Sequence, residues 1–330
     1  MRLRAALAAI AAALLLASCS QDSAKQLPLT SAISATTSVP ATQGTEQTTS
    51  TTTTASTATP STAAESAATT PPADAAVQDG LTVLYAGHSF GRPFAEEMAD
   101  ATRRAGIAGH EQRVVFRGGE KGSPQAMWED PNVQALIKEQ LDDGAVDLVV
   151  LICCSSEFRE AASPGNHVIK DHTLSDQAIL EIVAYAVAQN PETRFGLAMP
   201  WADFPGEYAT AADHRALTDA AYPLYQQLAE NISEASQGVD VFTFYHGTAL
   251  YEIRSRFEQG LIPELMALVG PKSSSVFTDA KGHAATMAKD TGTLIWLDAI
   301  YGVDPLDMPP DQSYDVDIRD IAASALTTAP

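Results

Sequence analysis

Cysteine is nearly missing from this 330-residue chain, which has three. Cys19 stands alone, while Cys153 and Cys154 are adjacent and could join each other only through a strained vicinal bond. No disulfide framework can be built from them, and no CxxC or Cys/His spacing suggests zinc. Two buried free thiols at a strand end are the expectation. Positive charge is scarce as well: 20 Lys and Arg stand against 41 Asp and Glu, a net charge of −21. That balance argues against nucleic acid or anionic lipid as a partner of a folded domain and suits solubility. No residue pattern calls for a cofactor or a metal. The aspartates between Asp304 and Asp320 fit no ion-binding loop and read as part of an acidic, solvated tail over residues 306–330.

The first 78 residues carry little that can fold. Arg2 and Arg4 precede the apolar run Ala5–Leu16, which is too short for a comfortable membrane span. Leu16-Ala17-Ser18-Cys19 then resembles the lipobox of bacterial lipoproteins. The resemblance implies a signal peptide over residues 1–18 and lipid on the thiol and new amino terminus of Cys19. With Ser20 rather than Asp next, the Gram-negative sorting rule favours the outer membrane, facing the periplasm. Of the 41 residues from Thr30 to Thr70, 23 are Ser or Thr. Such a stretch has almost no large apolar side chains to offset the entropy of ordering, so residues 19–78 read as a disordered tether.

From residue 79 the pattern changes to that of one α/β domain, taken here to run over residues 79–305. Short apolar runs at Leu81–Ala86, Arg113–Phe116, Val146–Ile152, Arg194–Met199 and Val239–Phe244 predict strands. Helical spacing predicts helices near Pro93–Ala105, Asn132–Leu141, Leu174–Gln189, Ala211–Ala235, Leu250–Leu268 and His283–Ile300. Five strands alternating with helices predict a three-layer α/β/α sandwich around a mostly parallel five-stranded sheet. In such folds ligands bind at the carboxyl ends of the strands. The loops after the five strands, carrying Ser89, Gly118–Ser123, Cys153–Glu157, Pro200–Asp203 and His246, should therefore share one edge.

Two of the motifs fit acyl transfer. Gly87-His88-Ser89-Phe90-Gly91 ends the first strand, and Asp279-Ala-Lys-Gly-His283 lies near the far end. A serine becomes a nucleophile when an imidazole takes its proton, and a carboxylate fixes the tautomer of that imidazole. Taken alone, the first motif is equally a strand-ending turn in which Ser89 caps a helix. Asp279 and His283 share a face if they open a helix, and either can swing toward Ser89 if they sit in a loop. His246 is a competing base, and Asp290 and Asp298 are weaker carboxylates within the last helix. His167, Asp171 and His172 lie in a loop after strand three and read as solvated. Trp201 and Asp203, with Phe204 and Tyr208, follow strand four and suit contact with sugar or acyl groups. His88 reads as structural or as a pocket wall, the second making it a candidate for substrate contact.

The chain resembles the SGNH/GDSL hydrolases from about Leu81 to Pro305, in the branch whose nucleophile motif reads G-N-S-F or G-H-S-F. The resemblance implies a flavodoxin-like fold, with Ser89 as nucleophile and Asp279 and His283 as its partners. Gly122-Ser-Pro-Gln-Ala-Met-Trp128 is similar to the block whose glycine amide joins the oxyanion hole, which puts Gly122 there, with Gly119 second. Gly292 through Trp296, and Tyr301-Gly-Val-Asp304-Pro305, resemble the terminal helix of the branch. There are departures. The asparagine of the third block is missing from Cys153-Cys-Ser-Ser-Glu157, where Ser155 or Ser156 takes its place as donor. Met127 replaces a histidine, and three residues instead of two separate Asp279 from His283. The resemblance implies a lipid-anchored envelope serine esterase acting on O-acetyl or short acyl esters, possible substrates being acylated glycans. The altered third block also fits a weak or inactive glycan-binding descendant, recognising sugar through Trp201.

Overall fold

The computed structural model describes residues 79–152 and 176–330. Within them five strands form one parallel sheet: β1 (Thr82–Gly87), β2 (Glu111–Phe116), β3 (Leu148–Ile152), β4 (Arg194–Met199) and β5 (Val241–Tyr245), in the order β2-β1-β3-β4-β5. Each predicted strand lies within two residues of an observed one. Helices α1 (Arg92–Arg104), α2 (Pro124–Glu129), α3 (Pro131–Leu141), α4 (Asp176–Gln189), α5 (Ala211–Ala235), α6 (Gly247–Glu258), α7 (Thr286–Tyr301) and α8 (Ile318–Thr327) pack around it. A small parallel pair, β6 (Ala267–Val269) and β7 (Ser275–Phe277), precedes α7.

Alternation along the strands divides the core in two. Val83, Tyr85, Leu148, Val150 and Ile152 face the layer that holds Phe94, Met98, Trp296 and Ile321. Leu84, Ala86, Val149 and Leu151 face Met127, Val133, Ile137, Ile179 and Ile182. Because β3 is covered on both faces, its sequence is apolar throughout instead of alternating. This is the three-layer α/β/α sandwich expected from the sequence.

Several boundaries differ from expectation. The helix predicted over Leu250–Leu268 stops at Glu258, and Gly260, at φ +69°, turns the chain away. The last core helix starts at Thr286, so Asp279 and His283 lie in a loop. The sequence Pro124–Glu129, read only as a motif, is a short helix capped by Ser123. The segment expected as a solvated tail folds back onto the core: Ile318, Ile321, Ala322 and Ala325 of α8 are buried, and Asp317 caps the helix.

Strand order reverses between β1 and β3, since β2 lies on one side of β1 and β3, β4 and β5 on the other. The crevice at such a switch point is the natural ligand site of an open α/β sheet. Ser89 follows β1 at this point. Ile152, the last residue of β3, closes the crevice floor between two glycines. A Cβ at Gly87 would lie 2.5 Å from Ile152 Cβ, and one at Gly91 would lie 2.2 Å from Ile152 Cγ1. Neither contact is possible without moving a buried strand, so the turn that carries Ser89 owes its closeness to β3 to these two glycines.

Candidate active site

The turn after β1 is held by its own backbone. The amides of Gly91 and Arg92 both donate to the His88 carbonyl at 3.1 Å, and Pro93 helps start α1. Gly91, not Ser89, occupies the N-cap position, and no side chain caps this helix. The Ser89 hydroxyl is thus left for other work. It lies 2.8 Å from Nε2 of His283.

His283 reaches this position from a tight loop between β7 and α7. Thr278 N donates to the His283 carbonyl at 2.8 Å, and the amides of Gly282 and His283 donate to Asp279 Oδ1 at 3.0 and 3.3 Å. Gly282 sits at φ +98°, in the left-handed region that side chains disfavour. The other Asp279 oxygen, Oδ2, is 2.6 Å from His283 Nδ1. Partial burial acts to raise the Asp279 pKa, but the bonds from the His283 ring and from the two amides outweigh it and hold the carboxyl below its usual range. An ionised carboxylate can only accept, so Nδ1 carries the proton and Nε2 presents its lone pair to the Ser89 hydroxyl.

The post-β4 loop braces this arrangement. Trp201 is fully buried, stacks on Phe90 at 4.4 Å with an interplanar angle of 6°, and donates Nε1–H to the Gly282 carbonyl at 2.8 Å. Phe204 N donates to the Lys281 carbonyl at 3.0 Å, and Lys281 Nζ donates to buried Asp203 Oδ2 at 3.1 Å. The Phe90 ring in turn meets His283 edge-on at 5.4 Å. The loop is itself anchored from below. Ala202 N donates to Tyr251 Oη and its carbonyl accepts from His214 Nε2, both at 2.8 Å. His246, also fully buried, donates Nε2–H to the Phe90 carbonyl at 3.1 Å. Burial lowers the pKa of His246 to about 3 and that of His214 to about 4, so both are neutral at ordinary pH.

Several sequence expectations are corrected by this packing. Trp201 cannot stack on a ligand, because its ring is enclosed; it supports Phe90 and Gly282 instead. Asp203, expected to contact sugar or acyl groups, is buried and accepts from Lys281 Nζ instead. His88 is buried, with Nδ1 accepting from Phe90 N at 3.3 Å, which turns it inward as part of its own turn. His246 does not compete for the base role, since its Nε2 proton is engaged behind the nucleophile turn. Asp290 receives the Tyr314 hydroxyl at 2.5 Å, away from the His283 ring. Gly122 is placed against the Ser89 turn: a Cβ there would lie 2.5 Å from the Gly87 carbonyl oxygen and 2.6 Å from His88 Cβ. Gly119 has open space around it. Ser155 and Ser156, with Cys153, Cys154, His167, Asp171, His172 and Cys19, lie outside the described residues.

No protein-family model and no curated protein matches the chain. Among solved structures it is similar to a DUF4886 family protein from Bacteroides uniformis, with 13% identity over 76% of this chain and 96% of that one and a TM-score of 0.49. It is also similar to a family 3 carbohydrate esterase from Clostridium thermocellum, with 11% identity over 66% and 94% of the two chains and a TM-score of 0.37. A catalytic mutant of an acetylxylan esterase from Geobacillus stearothermophilus shares 12% identity over 68% and 96%, with a TM-score of 0.41.

Proposed function

We propose that the protein is a serine ester hydrolase in which Ser89 is the nucleophile, His283 the general base and acid, and Asp279 the group that orients the ring. The observation that carries this reading is the pair of short contacts, 2.8 Å from Ser89 Oγ to His283 Nε2 and 2.6 Å from His283 Nδ1 to Asp279 Oδ2. Both distances suit proton transfer. His283 takes the Ser89 proton as Oγ bonds to the ester carbonyl carbon, and the carbonyl oxygen becomes an oxyanion. Collapse breaks the bond to the alcohol, which leaves with the proton from His283 and gives an acyl-enzyme. Water then attacks, His283 accepts its proton and returns one to Ser89, and the free acid departs. The amides of Ser89 and Gly122 are assigned to the oxyanion. The closeness of Gly122 to the Ser89 turn supports this, and Ser155 is assigned as a further donor on sequence alone.

The substrates assigned are O-acetyl or other short acyl esters, including those carried on carbohydrate. A fluorophosphonate probe is expected to label the protein covalently at Ser89 and to leave Ser89→Ala unlabelled. Folded protein that resists the probe would remove the hydrolase reading.

The same proposal places the enzyme at the cell envelope, lipid-anchored through Cys19 and facing the periplasm at the end of its tether. Metabolic labelling with a radioactive fatty acid is expected to mark the wild-type chain and to miss Cys19→Ala. Equal label in both would end the anchor assignment.

A further inference from the structure

The direction of acyl transfer fixes where each half of an ester must lie. Nε2 of His283 takes the Ser89 proton and later gives a proton to the departing oxygen, so the alcohol half has to sit on the His283 side of the hydroxyl. Two side chains lie beside the His283 loop, half-buried Lys281 and exposed Phe204. Lys281 is two residues before His283, and its carbonyl binds the Phe204 amide. Its Nζ lies 5.9 Å from the centroid of Phe90, the ring that meets His283 edge-on, and 5.1 Å from the centroid of Phe204.

Phe204 is unusual in two ways. It is 37% exposed, whereas Trp201, three residues earlier, is fully enclosed. It also has φ +53° and ψ +59°, a left-handed conformation that a bulky side chain disfavours. The ring is partly turned to solvent, with the Lys281 ammonium over it. The buried carboxylate of Asp203 aims the Lys281 ammonium, taking one of its three N–H donors. An aromatic surface beside an oriented donor suits a pyranose, which offers an apolar C–H face and a hydroxylated edge.

We propose that Phe204 and Lys281 form the alcohol-side subsite, with a sugar ring resting on Phe204 and one of its hydroxyls accepting from Lys281 Nζ. This rests on the hydrolase reading above and makes the sugar the leaving group. The test compares two esters, an acetylated methyl pyranoside and ethyl acetate, whose alcohol is too small to reach that subsite. In Phe204→Gly, which also relieves the backbone, the ratio of kcat/KM for the pyranoside to that for ethyl acetate is expected to fall about tenfold, mainly through KM. Phe204→Trp should keep the ratio, and Lys281→Met should lower it. An unchanged ratio in Phe204→Gly overturns the subsite even though both esters are hydrolysed. Wild-type protein that hydrolyses neither ester overturns the hydrolase reading itself.

Discussion

Ester hydrolysis by Ser89→Ala is expected to fall by about 10⁴–10⁶ in kcat, with the protein folded and its melting temperature little changed. The size follows from the site. Ser89 is not the cap of α1, so its loss removes no helix-starting bond, and its one short side-chain contact is with His283. Asp279→Asn should lose about 10⁴ for a different reason. An amide at that position can donate to Nδ1, which moves the ring proton to Nε2 and leaves no lone pair for the Ser89 hydroxyl. The two losses should not add, because serine, ring and carboxylate act as one unit. Steady-state kinetics on a short acyl ester with Ser89→Ala, Asp279→Asn and the double variant would check this. A Ser89→Ala enzyme retaining more than about a tenth of the wild-type rate would contradict the mechanism.

Acid should begin to destabilise this protein below about pH 6.5, before most carboxylates titrate. His246 and His214 are buried and neutral, with pKa values of about 3 and about 4 against an ordinary 6.5. Above pH 6.5 neither state binds the proton and the two residues leave stability unchanged. As the pH falls below 6.5 the unfolded chain takes up protons that the folded chain refuses, so folding weakens down to the folded-state values. By pH 4 each histidine contributes a loss of about 3 kcal/mol. Together they approach the whole net stability of an ordinary domain, about 5–15 kcal/mol. Relief of repulsion among the excess acidic groups acts in the opposite direction. Guanidinium chloride denaturation between pH 7 and 4.5 screens that repulsion and isolates the histidine effect. Stability should decline across this interval, and in His246→Gln the slope should be smaller by about one proton, roughly 1.4 kcal/mol per pH unit. A flat profile would mean that neither ring is buried as described.

How much of this was legible in the sequence depends on what each signal measures. The five strands were readable because short β-branched runs between helical segments have few other uses, and β3 in particular has no polar residue. The grouping of Ser89 with Asp279 and His283 came from residue chemistry and the family resemblance, while the spacing alone left open whether a loop or a helix start carries the pair. The end of α6 was missed because Ile262 and Leu265 are buried as loop residues and continue the helical spacing beyond Gly260. Helix α8 was missed because Asp residues around Ile318, Ile321 and Ala325 suggested a solvated run, while the apolar face between them has helical period. Trp201 shows a deeper limit. An aromatic residue in a Pro/Gly loop at a sheet edge has the same sequence signature whether it greets a ligand or supports a neighbouring ring. Only packing separates Trp201, enclosed, from Phe204, presented three residues later.

The hydroxyl and the imidazole are supplied from positions 194 residues apart. A nascent chain therefore carries Ser89 long before the His283 that it meets in the folded protein. Closing so long a span comes late in folding, because the intervening sheet must first bring the ends together. If the hydrolase proposal holds, the two halves of the site meet only after the loop before α7 has docked.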